Sequence, residues 1–426
     1  MKQPLYCLLF LLTYSSTFFL HAQSLPFNFS AKGILTLSDA DMAASAYIDG
    51  DLKTVSTEFD QFSAIKWHNA SNDLVVKSLH IPNSVTNLPK GLEVSPDGKT
   101  AFVASTRGSL PRSIQQVKNV LTDLPALTKL YAVDISDLNN PRLLDSIDVG
   151  RIPLSVDMRT NGDMLAIVTE QANNEVVLIE WKNNHFAAVS KYPSGFSGKA
   201  RITDCEWDPT GKFLAATLEE TNQVVLYYIR IFPKGIAFKQ FGEPVTLGKF
   251  PGLGHWTPDG RFYIVSDLNW NASDINSNIF SISFDMDDGK NHRLISTAKV
   301  GLHAEGFAIS PDGQYIVAAN IRESYRPIND PKFTAHSSLS LLTLDTEGGL
   351  KTVGEYEFRG ILPQGVDFDA QSSMLAVTVF DYWDLNTKSK GGIEFWQVEK
   401  GENPTLKQTG FKIAMPRGTH IVKVIR

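Results

Sequence analysis

With 426 residues, 42% of them apolar, the chain is far longer than one small core requires. Length alone suggests two or three domains, unless the chain is built from repeats. A net charge of −6, with acids and bases interspersed and no basic stripe, argues against a nucleic-acid partner.

The chain opens on "MKQPLYCLLFLLTYSSTFFLHAQSLP". Lys2 supplies a positive start, Leu5 to Leu20 an apolar run, and Ala22 a small residue before a cut at Gln23. This is the pattern of a secretory signal peptide over residues 1–22. An uncleaved anchor is the alternative, which Tyr14, Ser15, Ser16 and Thr17 weaken. Export to a periplasmic or extracellular space is expected, with no later transmembrane segment. Cys7 falls in this leader, so Cys205 stands alone in residues 23–426 and no internal disulfide is expected. In "ITDCEWDP" it reads as a buried small hydrophobe.

A hairpin then recurs along the chain: "GLEVSPDGKTAFVAS", "SVDMRTNGDMLAIVT", "DCEWDPTGKFLAATL", "LGHWTPDGRFYIVSD", "GFAISPDGQYIVAAN" and "GVDFDAQSSMLAVTV". Its turn residues are Gly98, Gly162, Gly211, Gly260, Gly313 and Ser372, 49–64 residues apart. Glycine there permits positive φ, and serine at 372 implies a different turn geometry. "ASAYIDGDLKTVSTE", with Gly50 at its turn, reads as a degenerate further copy. A third strand such as "EVVLIEW" or "QVVLYYI" follows each hairpin, and a more polar fourth such as "LLDSIDV" closes the unit. Four strands per unit, seven times over, make an all-β, seven-bladed β-propeller of four-stranded antiparallel blades. One such sheet cannot bury both faces alone, so the blades must stack around an axis. The expected blades run approximately over 33–85, 86–149, 150–198, 199–247, 248–300, 301–358 and 359–416. "MPRGTHIVKVIR" forms a closing strand at 417–426. It competes with "ASAYI" for the inner position of blade one, so either the end strand is extra or blade one is built differently.

"SPDGKTAFVAS", "HAEGFAISPDGQYIVAANI" and "IPNSVTNLPKGLEVSPDG" resemble the YncE-like, lactonase-type seven-bladed propellers with YVTN-like repeats. The resemblance spans nearly all of residues 23–426. It implies the fold and an exported protein. Some members hydrolyse lactones, but the shared motifs are structural and do not specify an activity.

Residues five before each turn fall on the innermost strand: Glu93, Asp157, Glu206, His255, Ala308 and Asp367. The match of "PRGTH" to "PKGLE" adds His420. Such a ring can simply line a hydrated channel. It can also be a site, in which crowded carboxylates shift one another's pKa and His255 or His420 acts as a base. Carboxylates with two histidines could hold a divalent ion, but no metal motif supports one, and no cofactor is expected.

In propellers the loops between second and third strands share one face. Four are long here, following Ser105, Asp267, Asn320 and Val379. They present Arg107, Arg112, Trp270, Arg322, Tyr325, Arg326, His336, Tyr382 and Trp383 as candidate ligand contacts. Glu305 and Arg417, beside the inner strands, complete the set. Alternatively the loop aromatics pack on one another. Two functions follow. The first is a monomeric module that binds a small molecule, glycan or peptide at the loop-covered funnel. The alternative is a lactonase-like hydrolase in which Glu93, Glu206, His255 or His420 activates water and Arg417 or Arg322 steadies the oxyanion.

Overall fold

The computed structural model describes residues 25–68, 73–269, 276–382 and 390–426. The residues read as a leader, Trp270 and Trp383 lie outside them. Seven four-stranded antiparallel sheets stand around one axis, the fourth carrying a short extra strand. Blade two, for example, runs Leu92–Val94, Thr100–Ala104, Lys129–Asp134 and Arg142–Asp148 from the axis outward. Second strands such as Met164–Thr169 and Met374–Val379 are buried throughout, whereas the outer strand His185–Tyr192 is mostly exposed. That gradient is what a stacked sheet requires: both faces of the middle strands are covered by neighbouring blades, and only the rim meets water.

Apolar clusters fill the seams between neighbouring blades. Phe102, Leu130, Val156 and Ile167 join blades two and three, and Ile34, Ile65, Phe395 and Val422 join blades seven and one. An eighth cluster lies across the loop face, where Met42, Leu52, Val85, Val120, Tyr325, Leu362 and Phe380 come together.

The turns explain the repeat. Gly98, Gly162, Gly211, Gly260 and Gly313 all have φ between 66° and 75°. Ser372 does not depart from them, because its φ is 57°. Its neighbour Asp369 offsets the strain: Oδ1 accepts the N–H of Ser373 at 2.8 Å and of Met374 at 3.0 Å. The expectation of a different turn there is corrected.

Closure corrects a second expectation. "ASAYIDG" is not a blade hairpin. Ala46–Asp49 is a short helix, and Gly50 caps it at φ 68°. The same glycine preference for positive φ serves helix ends and hairpin turns, so the sequence signal was ambiguous. Blade one takes its inner strand from the other end of the chain: Thr419–Ile425 pairs with Gly33–Ser38, followed outward by Gln61–His68 and Asp73–Leu79. Thr36 Oγ1 donates to the Ile421 carbonyl at 2.6 Å, and the Ser38 and Thr419 hydroxyls meet at 2.9 Å. A strand from each terminus in one sheet locks the ring.

Truncation after Gly418 removes that inner strand. The truncated chain is expected to lose its cooperative thermal transition, or to be recovered only as aggregate. Calorimetry and size exclusion check this, and a monomer with an unchanged Tm would refute the closure.

Candidate active site

The axis is not an open tunnel. Residues 81–90 leave blade one and cross the loop side of the hub before entering blade two. The Val85 carbonyl accepts from Tyr47 Oη at 2.8 Å and from Gln364 Nε2 of blade seven at 3.3 Å. Asn87 Nδ2 donates to Thr106 Oγ1 at 2.6 Å and to the Leu154 carbonyl of blade three at 3.0 Å. Gly306 is required where this segment passes blade six: a Cβ there would lie 1.7 Å from the Gln364 carbonyl and 3.1 Å from Pro89. The crossing divides the hub into a cavity on the hairpin-turn side and a smaller pocket on the loop side.

The turn-side cavity has a volume of about 350 Å³ and includes Glu93, Glu206, His255, Asp367, Lys423 and Arg426 in its wall. The sequence-derived ring therefore does assemble, with one substitution. Backbone N–H groups of the residues after ring members donate to the previous blade's carboxylate: Trp207 to Asp157 at 2.8 Å, Trp256 to Glu206 at 3.1 Å, Val424 to Asp367 at 2.7 Å. Blade one's ring member is thus Lys423, not His420. The closing strand enters three residues earlier than the match to "PKGLE" assumes. Lys423 pairs with Glu93 at 2.9 Å, and Arg426 pairs with Asp367. His420 sits nearer the loop face, fully buried, with Nδ1 donating to the Gly418 carbonyl at 2.9 Å. Burial brings its pKa down to about 4, so it is neutral at pH 7.

At the inner end lies a residue the sequence reading missed. Lys90, 1% exposed, closes an ion pair with Glu206 and places Nζ 3.6 Å from Asp157. Burial disfavours its charge, but Glu206 and Asp157 outweigh this and hold its pKa well above the ordinary value. Burial also drives the Asp157 carboxyl well up, in spite of Lys90. The Lys90 charge is therefore answered chiefly by Glu206, which Lys90 and His255 keep ionised against its burial. Its only sequence signal was a lone lysine in the apolar run "TNLPKGLEV", three residues before Glu93.

His255 Nδ1 lies 2.6 Å from Glu206 Oε2. The carboxylate can only accept, so Nδ1 carries the proton and Nε2 is left as an acceptor. Lys90 Nζ, 3.4 Å from Nδ1, then adds electrostatic crowding rather than a hydrogen bond. Burial, reinforced by Lys90, lowers the His255 pKa despite the opposing pull of Glu206. The ring is held edge-on against Phe307, centroids 5.1 Å apart, with 21% of the side chain exposed. A neutral, oriented imidazole on a cavity wall beside cations is the arrangement of a general base.

The loop-side residues are more dispersed. A pocket of about 140 Å³ gathers Tyr47, Leu88, Arg107, Leu154, Phe250 and Glu305. Burial raises Glu305 to about 8, and Arg107 Nη1 donates to the Leu124 carbonyl at 2.9 Å. Tyr325, expected as a ligand contact, is instead buried within the loop-face cluster, as the alternative of self-packing loops has it. Arg322 pairs with Glu357 at 2.6 Å, and Tyr382 Oη donates to Glu394 at 2.9 Å. Arg112 Nη2 donates to the Glu58 carbonyl at 2.5 Å, and Arg326 pairs with Asp330 at 2.9 Å. His336 is the exposed first residue of the otherwise largely buried third strand His336–Leu344 of blade six. Arg417 is buried, 3.9 Å from Glu58, away from the turn-side cavity. Cys205 is a free, fully buried thiol.

No family model matches the chain, and no curated protein matches it in sequence. Among solved structures it is similar to a candidate 6-phosphogluconolactonase of Bacteroides uniformis, at 17% identity and TM-score 0.60 over 92% of this chain and 100% of that one. The periplasmic gluconolactonase of Pseudomonas aeruginosa aligns at 15% identity and TM-score 0.60, over 92% and 99%. A hypothetical selenium-binding protein of Sulfolobus tokodaii aligns at 11% and 0.62, over 93% and 94%. At such identities the likeness establishes the seven-bladed fold and not the chemistry.

Lys90→Met leaves Glu206 buried without its counter-charge and is expected to cost about 3–5 kcal/mol. Adding Glu206→Gln should recover part of that loss. Urea unfolding at pH 7 checks both, and an unchanged midpoint in Lys90→Met would contradict the assignment.

Proposed function

We propose that the turn-side cavity hydrolyses a small polar lactone. The observation that carries this is the His255–Glu206 pair, which leaves Nε2 available on a cavity wall that also holds Lys423 and Arg426. His255 Nε2 takes a proton from water as the water oxygen bonds to the lactone carbonyl carbon. Glu206 stabilises the imidazolium that forms. Lys423 offsets the developing negative charge on the carbonyl oxygen. As the ring C–O bond breaks, the imidazolium returns its proton to the departing alkoxide, giving the open hydroxy acid. Two structural relatives described as lactonases support the substrate class. The leader-like N-terminus, together with the periplasmic setting of one relative, supports an exported protein of the YncE-like type. Binding of a ligand at the loop face is the second reading, favoured by the partly apolar pocket around Leu88, Leu154 and Phe250.

Purified protein is expected to open gluconolactone-type substrates, with His255→Ala lowering kcat by about 10²–10⁴-fold. The base must be neutral to act, so kcat/KM should be level at neutral pH and fall as pH drops through the His255 pKa, which lies below 6.5. A panel of lactones with no turnover, alongside ligand-induced stabilisation that His255→Ala leaves intact, would favour the loop-face reading instead.

A further inference from the structure

Blade one's second strand ends at Ser38, and its third begins at Gln61. Carboxylates stand at both ends of the excursion between them. Asp39, Asp41 and Asp60 each offer one oxygen, and these oxygens lie within 4.8 Å of one another. Asp39 and Asp60 are fixed by the backbone. Asp39 Oδ1 accepts from the Asp41 N–H at 2.7 Å and Oδ2 from Val85 at 2.8 Å. Asp60 Oδ1 accepts from Ala40 at 2.9 Å and Oδ2 from Asn83 at 3.1 Å. Every one of these oxygens keeps a further lone pair.

Asp41 is different. It is only 4% exposed, yet among the described residues no donor reaches its carboxylate. A buried carboxylate without a hydrogen bond is costly, and native structures rarely keep one without a ligand or a counter-charge. The surrounding charges do not supply that partner. Arg112 lies within electrostatic range of Asp41, but its Nη2 donates to the Glu58 carbonyl and its buried Nη1 makes no hydrogen bond to the carboxylate. Arg417 lies within range of Asp39 and faces the Glu58 carboxylate at 3.9 Å. With Glu58 included, four carboxyl groups face two guanidiniums.

We propose that Asp39, Asp41 and Asp60 bind one hard divalent cation of the size and chemistry of calcium, with solvent completing its shell. Calcium accepts carboxylate oxygens at about 2.3–2.6 Å, so ligand atoms across one ion stand up to about 5 Å apart, the spacing found here. The ion would join the blade-one excursion to the axis-crossing segment, since Asp39 and Asp60 already hold the Val85 and Asn83 amides. That segment ends in Lys90. The site is thus a structural fastening of the plug that divides the hub, distinct from the His255 cavity.

The test uses the full chain, stripped with chelator and dialysed. Calorimetric titration with CaCl2 is expected to show one saturable site per chain. Saturating CaCl2 should raise Tm by roughly 3 °C or more over NaCl of equal ionic strength. Asp41→Asn and Asp60→Asn should each abolish that increment. Absence of binding heat together with an unchanged Tm in the wild-type chain overturns the proposal, as does an undiminished increment in both variants. Should either variant fail to fold, the wild-type titration decides alone.

Discussion

An ammonium group fully enclosed in a protein is tolerated only where carboxylates meet it, and the hub of this propeller is organised around one. Lys90 reaches down the axis from a segment that crosses it, and Glu206 answers its charge. The same carboxylate holds His255 in a single tautomer. Three features that would otherwise be separate — the plug, the ring of acids and the candidate base — thus share one electrostatic centre. Removing Lys90 or Glu206 leaves the other buried with an unanswered charge.

The ring that carries this centre exists because no blade can bury its own sheet. Neighbouring blades supply the missing apolar faces, and the strand Thr419–Ile425 closes the circle by joining the chain's two ends. Inner strands then converge so closely that side chains five residues before each turn face a common space. Carboxylates there accept backbone N–H groups from the next blade, as Asp157 does from Trp207 and Asp367 from Val424. The polar ring therefore holds blades together as well as lining a cavity.

Legibility in the sequence followed the range of the interactions. The hairpin repeat was plain because a positive φ within four residues demands glycine, and it located Glu93, Asp157, Glu206, His255 and Asp367 correctly on the hub. Ser372 concealed the same turn because Asp369 compensates it locally. Closure was ambiguous because Thr36 and Ile421 are partners across 385 positions, and nothing near either one announces the other. His420 was placed a few residues off for the same reason: its register is set by Gly33–Ser38 at the far end of the chain. Lys90 lay before its strand, in a segment whose path depends on blades three, six and seven.

The loop face and the turn face of the hub offer different chemistry. The first packs its aromatics into a cap and leaves a small, partly apolar pocket, while the second presents an oriented imidazole among cations. A crystal structure of the His255→Ala protein soaked with a slowly hydrolysed lactone separates them directly. The account predicts the lactone carbonyl in the turn-side cavity, in the space vacated by the imidazole and within reach of Lys423. A lactone seated instead among Leu88, Phe250 and Glu305, with the turn-side cavity holding only water, would contradict it.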